Sequence, residues 1–207
     1  MSFRVAVLIS GEGTNLQALI DQVHGRDGIE IVAVASSTED APGLIRAERA
    51  GVDTGVFAIA EHADRGARDV AMADWLDEHD ARLIVLAGFM ELLTPVFVAR
   101  FRGRLINVHP ALLPAFPGLR AIEQALDYGV RVTGVTVHFV DEGTDSGPVL
   151  LQEAFTLPYH RGDISAIEQG IHEIEHRLLP EAVRLIARGV VRADDKNPRR
   201  VDIDVSN

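Results

Sequence analysis

The chain alternates between short apolar runs, which predict buried strands, and segments whose apolar residues recur every three or four positions, which predict helices. The predicted strands are Phe3–Ser10, Glu30–Ser36, Leu83–Ala87, Leu105–Val108, Thr133–Val140 and Val149–Thr156. The predicted helices are Asn15–Val23, Pro42–Ala50, Arg65–Glu78, Thr94–Arg100 and a long last helix with Ile167, Ile171, Ile174 and Leu178. We expect this last helix to bend at Pro180, because proline interrupts the helical hydrogen-bond ladder.

Strand and helix alternate through the first half of the chain, an order typical of a parallel sheet with helices on both faces. The last two strands follow each other across a short loop and predict an antiparallel extension. We therefore predict an α/β, Rossmann-like fold with a mostly parallel twisted sheet, formed by a single domain over residues 1–190. Residues 191–207 are expected to be a polar tail, loose from residue 194 onward.

Composition narrows the class of protein. The 207 residues are 47% hydrophobic and 25% charged, which is typical of a globular domain. No apolar run approaches the roughly 20 residues of a membrane span. The amino terminus lacks a signal-peptide pattern, and cysteine is absent, which excludes disulfides and thiolate metal sites. We expect a cytoplasmic protein without a membrane partner. The net charge of −11 argues against a nucleic-acid partner, although a small anionic substrate remains compatible with it.

The segment Gly11-Glu12-Gly13-Thr14 joins the first strand to the first helix. Glycine lets a backbone approach a ligand closely, and the free amides at a helix N-terminus attract phosphate. We expect Thr14 to cap the helix. The loop does not match the dinucleotide-binding motif, because Leu16 stands at the third glycine, and the chain has no P-loop lysine. A phosphate-binding loop and a plain tight turn both remain open.

Asn107 and His109 end the short strand that begins at Leu105, and Pro110 follows them directly. Side chains two apart on a strand share a face, so these two point the same way. An amide can donate a hydrogen bond to a developing oxyanion, and an imidazole can transfer a proton near neutral pH. The pattern fits an active site at the carboxyl end of a strand. A strand end at which His109 merely packs is the alternative.

A second polar segment, Val140–Pro148, carries Asp141, Glu142 and Asp145 between two apolar runs. Its glycines allow a tight loop that could bring a carboxylate to another strand end, and we place Asp145 against His109. A carboxylate beside an imidazole orients the ring and favours its charged form. A solvated acidic turn is the alternative, and spacing alone does not decide between the two.

These motifs, in this order, resemble the formyltransferase family that uses 10-formyltetrahydrofolate. The segments that carry the resemblance are Leu8–Leu19, Asn107–Pro114 and Asp141–Pro148, and the likeness runs from Val5 to about Gly189. The His-Pro-x-Leu-Leu-Pro motif marks the wider family, whereas the Ser-Gly-x-Gly-Thr-Asn loop is more discriminating. The resemblance implies direct formyl transfer to the amine of 5′-phosphoribosylglycinamide in purine biosynthesis, through a tetrahedral intermediate and with no metal required.

The resemblance also implies a set of site residues. The implied catalytic residues are Asn107, His109 and Asp145. Residues matching those that bind the substrate's phosphate and ribose are Gly13, Thr14, Asn15 and Glu175. Residues matching those that bind the folate are Arg65, Met90, Glu91, Leu92, Leu93 and Asn107. The implied partners are small molecules, and the chain is expected to act as a monomer or homodimer.

Some positions depart from the family pattern. Glu91 stands where an arginine is often found, so we expect the backbone rather than this side chain to recognise the folate. The sequence after Arg65 is atypical and makes Arg68 its rival for the cofactor's acidic end. His138 is expected to pack or support the site. The other histidines form no convincing metal-ligand cluster: His24, His62, His79, His160, His172 and His176.

Three alternative functions are compatible with parts of this pattern. Methionyl-tRNA formyltransferase should carry a further carboxyl-terminal domain and a basic surface. Formyltetrahydrofolate deformylase usually has a regulatory domain before the first strand, which here starts at residue 3. A non-catalytic nucleotide-binding module could share the fold and the glycine-containing loop, but it would not need Asn107, His109 and Asp145 together.

Overall fold

The computed structural model describes residues 2–158, 164–194, 196–197 and 199–204. The chain divides into two compact units, Met1–Asn107 and Val108–Asn207. Strand β5, Leu105–His109, contains the boundary between them. The domain limits predicted from the sequence stay a prediction.

The first unit alternates strand and helix. Its strands are β1 (Phe3–Ile9), β2 (Ile29–Ser36), β3 (Asp53–Val56), β4 (Leu83–Leu86) and the first part of β5. Its helices are α1 (Thr14–Gln22), α2 (Pro42–Arg49), α3 (Arg65–Glu78) and α4 (Pro95–Arg100), with a 3₁₀ turn at Ile59–Glu61. These strands pair in parallel: β1 with β2 and β4, β2 with β3, and β4 with β5. Continuous apolar runs such as Val5–Ile9 are fully buried, as expected for strands covered on both faces.

The second unit contains the antiparallel strands and the longest helix. Its elements are α5 (Ala121–Tyr128), β6 (Val132–Phe139), β7 (Val149–Thr156), α6 (Ile164–Ala187), β8 (Val191–Ala193) and β9 (Val201–Ile203). Antiparallel pairing of β6 with β7 confirms the predicted extension. The strand order of the seven-stranded sheet is β3-β2-β1-β4-β5-β6-β7. The predicted α/β, Rossmann-like class with a mostly parallel sheet is thereby confirmed.

Two local predictions are wrong, two elements were not predicted, and one prediction stays untested. The tail is not loose throughout, because β8 pairs with β9 over Val191–Ala193 and Val201–Ile203. Thr14 does not cap α1: Gly13 is the N-cap residue, without a side-chain cap hydrogen bond, and Thr14 is the first helical residue. Strand β3 and helix α5 were not predicted. Helix α6 is assigned continuously through Pro180, and the bend there stays a prediction.

Candidate active site

The turn after β1, residues 11–14, is termed the glycine loop. Gly13 has a φ of 70°, in the left-handed region that glycine adopts without strain. A Cβ atom at this residue would lie 2.7 Å from the Cα atom of Gly43 on α2, so the close approach of two backbones also requires glycine. Thr14 is half-buried and Asn15 is buried. Because α1 starts directly after Gly13, its first amides lie at this loop.

Helix α2 holds the glycine loop at two further points. The Gly43 amide donates to the carbonyl oxygen of Gly11 at 3.1 Å. Nε of Arg46 donates to the carbonyl oxygen of Glu12 at 2.8 Å. A cavity of about 440 Å³ beside Arg46, lined by residues of α1 and α2, contains none of the predicted site residues. Helix α2 thus fixes the loop through carbonyl oxygens, whereas a phosphate would be bound by amides.

Segment 89–94 follows β4 and forms neither helix nor strand, so its backbone groups need partners from elsewhere. The Met90 amide donates to Oγ of Ser10 at 2.9 Å, and that oxygen accepts from Oγ of Ser37 at 2.6 Å. The side chains of Met90 and Leu92 are 65% and 62% exposed. An irregular backbone with exposed apolar side chains suits a flat ligand whose polar edge bonds the main chain.

The two arginines at the start of α3 differ in exposure. Arg65, the first helical residue, is exposed, whereas Arg68 is completely buried. Nε of Arg68 lies 2.6 Å from Oδ1 of Asp69, which is buried as well. Of the two rivals for contact with a ligand, only Arg65 is accessible to solvent in this structure.

Asn107 and His109 lie two residues apart on β5, a spacing that puts side chains on one face. Nε2 of His109 lies 2.8 Å from the carbonyl oxygen of Phe116. Its Nδ1 lies 3.4 Å from Oδ2 of Asp145. Both ring nitrogens therefore face oxygen atoms, and one contact must be exchanged before the ring can donate a hydrogen bond to a substrate.

Asp145 lies beside two buried histidines. Its Oδ2 faces His109, and its Oδ1 lies 3.6 Å from Nε2 of His138. The Gly118 amide donates to Oδ2 at 2.7 Å. The φ of 48° at Asp145 lies in the left-handed region, which aspartate adopts more readily than most residues. The predicted placement of Asp145 against His109 is confirmed, and His138 is found to contact the same carboxylate.

The surroundings of Asp145 keep its pKa below the ordinary value. Burial raises this pKa, but the nearby His138 ring, the Gly118 amide and the charge of His109 lower it by more. Asp145 is therefore a carboxylate at neutral pH and presents a negative charge to His109.

Residues 141–147 are termed the acidic loop, and Asp141 and Glu142 lie in its outer part. Oδ1 of Asp141 accepts from the Gly143 amide at 3.0 Å and from Oγ of Ser146 at 2.6 Å. Glu142 is exposed. The solvated-turn interpretation thus applies to Glu142, whereas Asp145 is turned inward.

Two polar side chains omitted from the predicted site hold the backbone that follows His109. Oγ1 of Thr136, on β6, donates to the Ala111 carbonyl oxygen at 2.7 Å and accepts from the Leu113 amide at 3.1 Å. Nε2 of Gln152, on β7, donates to the Leu113 carbonyl oxygen at 2.8 Å. Gln152 follows three apolar residues in its strand, and that interruption is the signal that could have indicated it.

The last predicted site residue, Glu175, is buried on α6. Within the part of the chain that the structure describes, no group of three or more histidine, aspartate or glutamate residues could hold a metal ion. His172 and His176 stack their rings at 6.2 Å, and Nδ1 of His24 accepts from a backbone amide. His160 lies outside the described residues. None of the helices over the described ranges is long and apolar enough to cross a membrane.

These features, a glycine-containing turn before α1 and a histidine–aspartate pair at the end of β5, occur in a chain that matches a known family. The profile of the Formyl transferase family matches residues 3–183. The chain belongs to this formyl transferase family.

Individual relatives are similar over most of the chain. Phosphoribosylglycinamide formyltransferase of Mycobacterium tuberculosis is 45% identical over 188 residues, covering 89% of this chain and 85% of that protein. The crystal structure of glycinamide ribonucleotide transformylase 1 from Symbiobacterium toebii has a TM-score of 0.92 and 44% identity, covering 98% of this chain and 94% of that one.

Another group of relatives is much longer. The trifunctional purine biosynthetic protein adenosine-3 of Bos taurus is 45% identical over 191 residues, which are 91% of this chain and 19% of that protein. The chain thus spans about a fifth of the length of this curated relative.

Proposed function

We propose that the chain transfers the formyl group of 10-formyltetrahydrofolate to the primary amine of 5′-phosphoribosylglycinamide, a step of purine biosynthesis. The observation that carries this proposal is the Asp145 carboxylate beside His109 at the end of β5, in a chain similar to phosphoribosylglycinamide formyltransferases. A cytoplasmic location and a monomeric or homodimeric state belong to the same proposal.

The proposed chemistry is acyl transfer to nitrogen. The amine nitrogen bonds to the formyl carbon, and negative charge develops on the formyl oxygen. The Asn107 amide and an N–H of protonated His109 donate to that oxygen, with His109 exchanging its contact to Phe116 for the new one. Asp145 balances the charge on the ring. The bond from carbon to N10 then breaks, and the proton lost by the amine reaches N10 directly or through water.

The ribonucleotide is assigned to the glycine loop. Gly13, Thr14 and Asn15 would bind its phosphate through the amides at the start of α1, which begins directly after Gly13. Glu175, which is buried on α6, would accept hydrogen bonds from the ribose hydroxyls.

The folate is assigned to segment 89–94, with Asn107 near its reacting end. The backbone of Met90, Glu91, Leu92 and Leu93 would bond the pterin ring, and the exposed side chains of Met90 and Leu92 would pack against it. The exposed Arg65 would meet the acidic end of the cofactor. Stabilisation of the transition state comes from side chains alone, so the route requires no metal.

The test compares three acceptors of the formyl group: 5′-phosphoribosylglycinamide, water and methionyl-tRNA. Purified protein with 10-formyltetrahydrofolate is expected to produce tetrahydrofolate and a formylated ribonucleotide only when 5′-phosphoribosylglycinamide is present. Asp145→Asn should lower this activity by about tenfold or more, whereas Asp141→Asn, a matched change in the outer part of the acidic loop, should keep most of it. Formate release without the ribonucleotide would indicate a deformylase, and formylation of methionyl-tRNA would contradict the proposed acceptor.

A further inference from the structure

Arg68 and Asp69 form a buried ion pair near the start of α3. Their relative exposures are 0% and 1%, and Nε of Arg68 lies 2.6 Å from Oδ1 of Asp69. Burying two charges costs more than their attraction offsets unless the remaining polar atoms are also satisfied. A pair of apolar side chains would therefore serve a core equally well or better, and the other contacts of this pair suggest a different role.

The further contacts of the pair go to segment 89–94. Oδ2 of Asp69 accepts from the Thr94 amide at 2.6 Å. Nη2 of Arg68 donates to the Leu92 carbonyl oxygen at 3.4 Å. The same guanidinium lies 5.7 Å from the ring centre of Phe89. The pair thus contacts the segment at its start, middle and end.

One atom of the ion pair indicates that the pair is not arranged for maximum stability of the fold. Nη1 of Arg68 is buried and has no hydrogen-bond partner among the residues that the structure describes. A buried donor without a partner destabilises the folded state. An irregular segment, by contrast, has no helix or sheet to fix its backbone, and charged side chains give the directional bonds that can do so.

We propose that Arg68 and Asp69 are positioning residues that fix the backbone of segment 89–94 without touching the folate. This inference rests on the proposed function, which assigns the folate to that segment. The inference assigns different roles to two arginines that lie about one helical turn apart. The exposed Arg65 meets the ligand, and the buried Arg68 holds the segment that the ligand contacts. Asp69 acts at the other end, through the amide of Thr94 at the start of α4.

The first test compares Asp69→Ala with Asp74→Ala on the same helix, where Asp74 is 58% exposed and pairs with Arg100 at 2.7 Å. Asp69→Ala should raise the KM for 10-formyltetrahydrofolate about tenfold or more, since a shift of about 1 Å at a binding group can cost up to about 100-fold. The KM for the ribonucleotide should change less than about twofold, because the glycine loop lies outside the segment. Asp74→Ala should change neither constant.

A purely structural role is tested by the double variant Arg68→Met with Asp69→Leu. The apolar pair should restore the melting temperature lost in Asp69→Ala, while the KM for the folate stays raised because the Leu92 and Thr94 contacts are missing. Recovery of both quantities would overturn the inference. If Asp69→Ala fails to fold, the double variant takes its place, and an unchanged folate KM in that variant would also overturn the inference.

Hydrogen exchange separates this inference from the proposed function, because it needs no turnover. In ligand-free Asp69→Ala, or in the double variant where necessary, the amides of residues 89–94 should exchange faster than in the parent protein, and those of the glycine loop should not. If exchange is faster in the variant but the parent protein shows no formyl transfer, the positioning of the segment is supported and only the proposed function is contradicted. Unchanged exchange over residues 89–94 would overturn the positioning inference whatever the activity.

Discussion

The glycine loop and the acidic loop are both short turns that follow a strand, but they are held in opposite ways. In the glycine loop, two backbones meet without side chains between them, at Gly13 and Gly43. In the acidic loop, carboxylates make the turn, and Asp141 and Asp145 each accept a hydrogen bond from a backbone amide. Close backbone packing also occurs in the acidic loop, at Gly147 against Phe139, so the two loops differ in the inward-turned carboxylate that only the acidic loop carries.

This difference indicates what each loop can contribute. A loop built from close-packed backbone presents main-chain amides, which bind an anion whatever the neighbouring side chains are. A loop that turns a carboxylate inward presents one negative charge at one place, which acts on a single partner such as His109. Changes in the glycine loop should therefore alter substrate binding, and changes in the acidic loop should alter the rate.

The largest effect is expected for Asn107→Ala and Asp145→Ala. Losing one preorganised oxyanion donor costs about 2.7–4 kcal/mol in a well-studied hydrolase, so kcat should fall by about 100-fold or more for Asn107→Ala. Asp145→Ala should have an effect of similar order, and the double variant should lose less than the sum. Steady-state kinetics, with circular dichroism as a check on folding, measures this. Near-normal kcat in both variants would contradict the assigned catalytic centre.

The acidic loop should be sensitive at one glycine and tolerant at another. A Cβ atom at residue 147 would collide with the backbone oxygen of Phe139, whereas one at residue 143 would meet the hydroxyl of Ser146, which can rotate away. Gly147→Ala should therefore displace Asp145 and lower kcat about tenfold or more. Gly143→Ala should have a much smaller effect. Equal losses in the two variants would mean that loop geometry does not govern the rate.

Substitution of Gly13 in the glycine loop should weaken binding of the ribonucleotide. Gly13→Val introduces a branched side chain at a φ of 70° and against the Gly43 backbone, so the KM for the ribonucleotide should rise about tenfold or more and that for the folate much less. Gly11→Ala is the matched control, because a Cβ there meets nothing within 4 Å. Weaker folate binding alone in Gly13→Val would assign the loop to the wrong substrate.

The smallest effect concerns acid stability. The pKa of Asp145 is lowered in the folded protein, so its ionised form stabilises the fold above the unfolded pKa of about 3.9. That contribution is lost as the pH falls through the lower, folded pKa. The difference in unfolding free energy between the parent protein and Asp145→Asn should shrink as the pH falls below about 4. Denaturant titrations over the series measure it, and a difference that stayed constant at lower pH would disagree.

The sequence predicted an element correctly where burial in the fold requires a recognisable pattern of apolar residues. Apolar runs such as Leu83–Leu86 predicted buried parallel strands, because burial on both faces requires them. Strand β3, Asp53–Val56, has a single large apolar residue and gives no such signal. The hairpin of β8 and β9 escaped prediction for the same reason, since each strand has three residues and neither is apolar throughout.

The candidate site was predictable where residues are neighbours in sequence or belong to a motif. Asn107 and His109 follow from strand alternation, and the position of Asp145 was expected from the resemblance. The N-cap prediction failed because Gly13, in a left-handed conformation, ends the loop one residue earlier than a threonine cap would. The burial of Arg68 could not be read from the sequence, because a charged residue next to an aspartate on a helix is usually solvated.

The most direct test of the division between binding and chemistry is single-turnover formyl transfer at saturating concentrations of both substrates, measured side by side for Gly13→Ala and Asp145→Asn. Saturation overcomes a defect in binding but leaves a defect in the chemical step. Gly13→Ala should approach the rate of the parent protein, and Asp145→Asn should remain slower by about tenfold or more. A slow Gly13→Ala together with a normal Asp145→Asn would contradict the account.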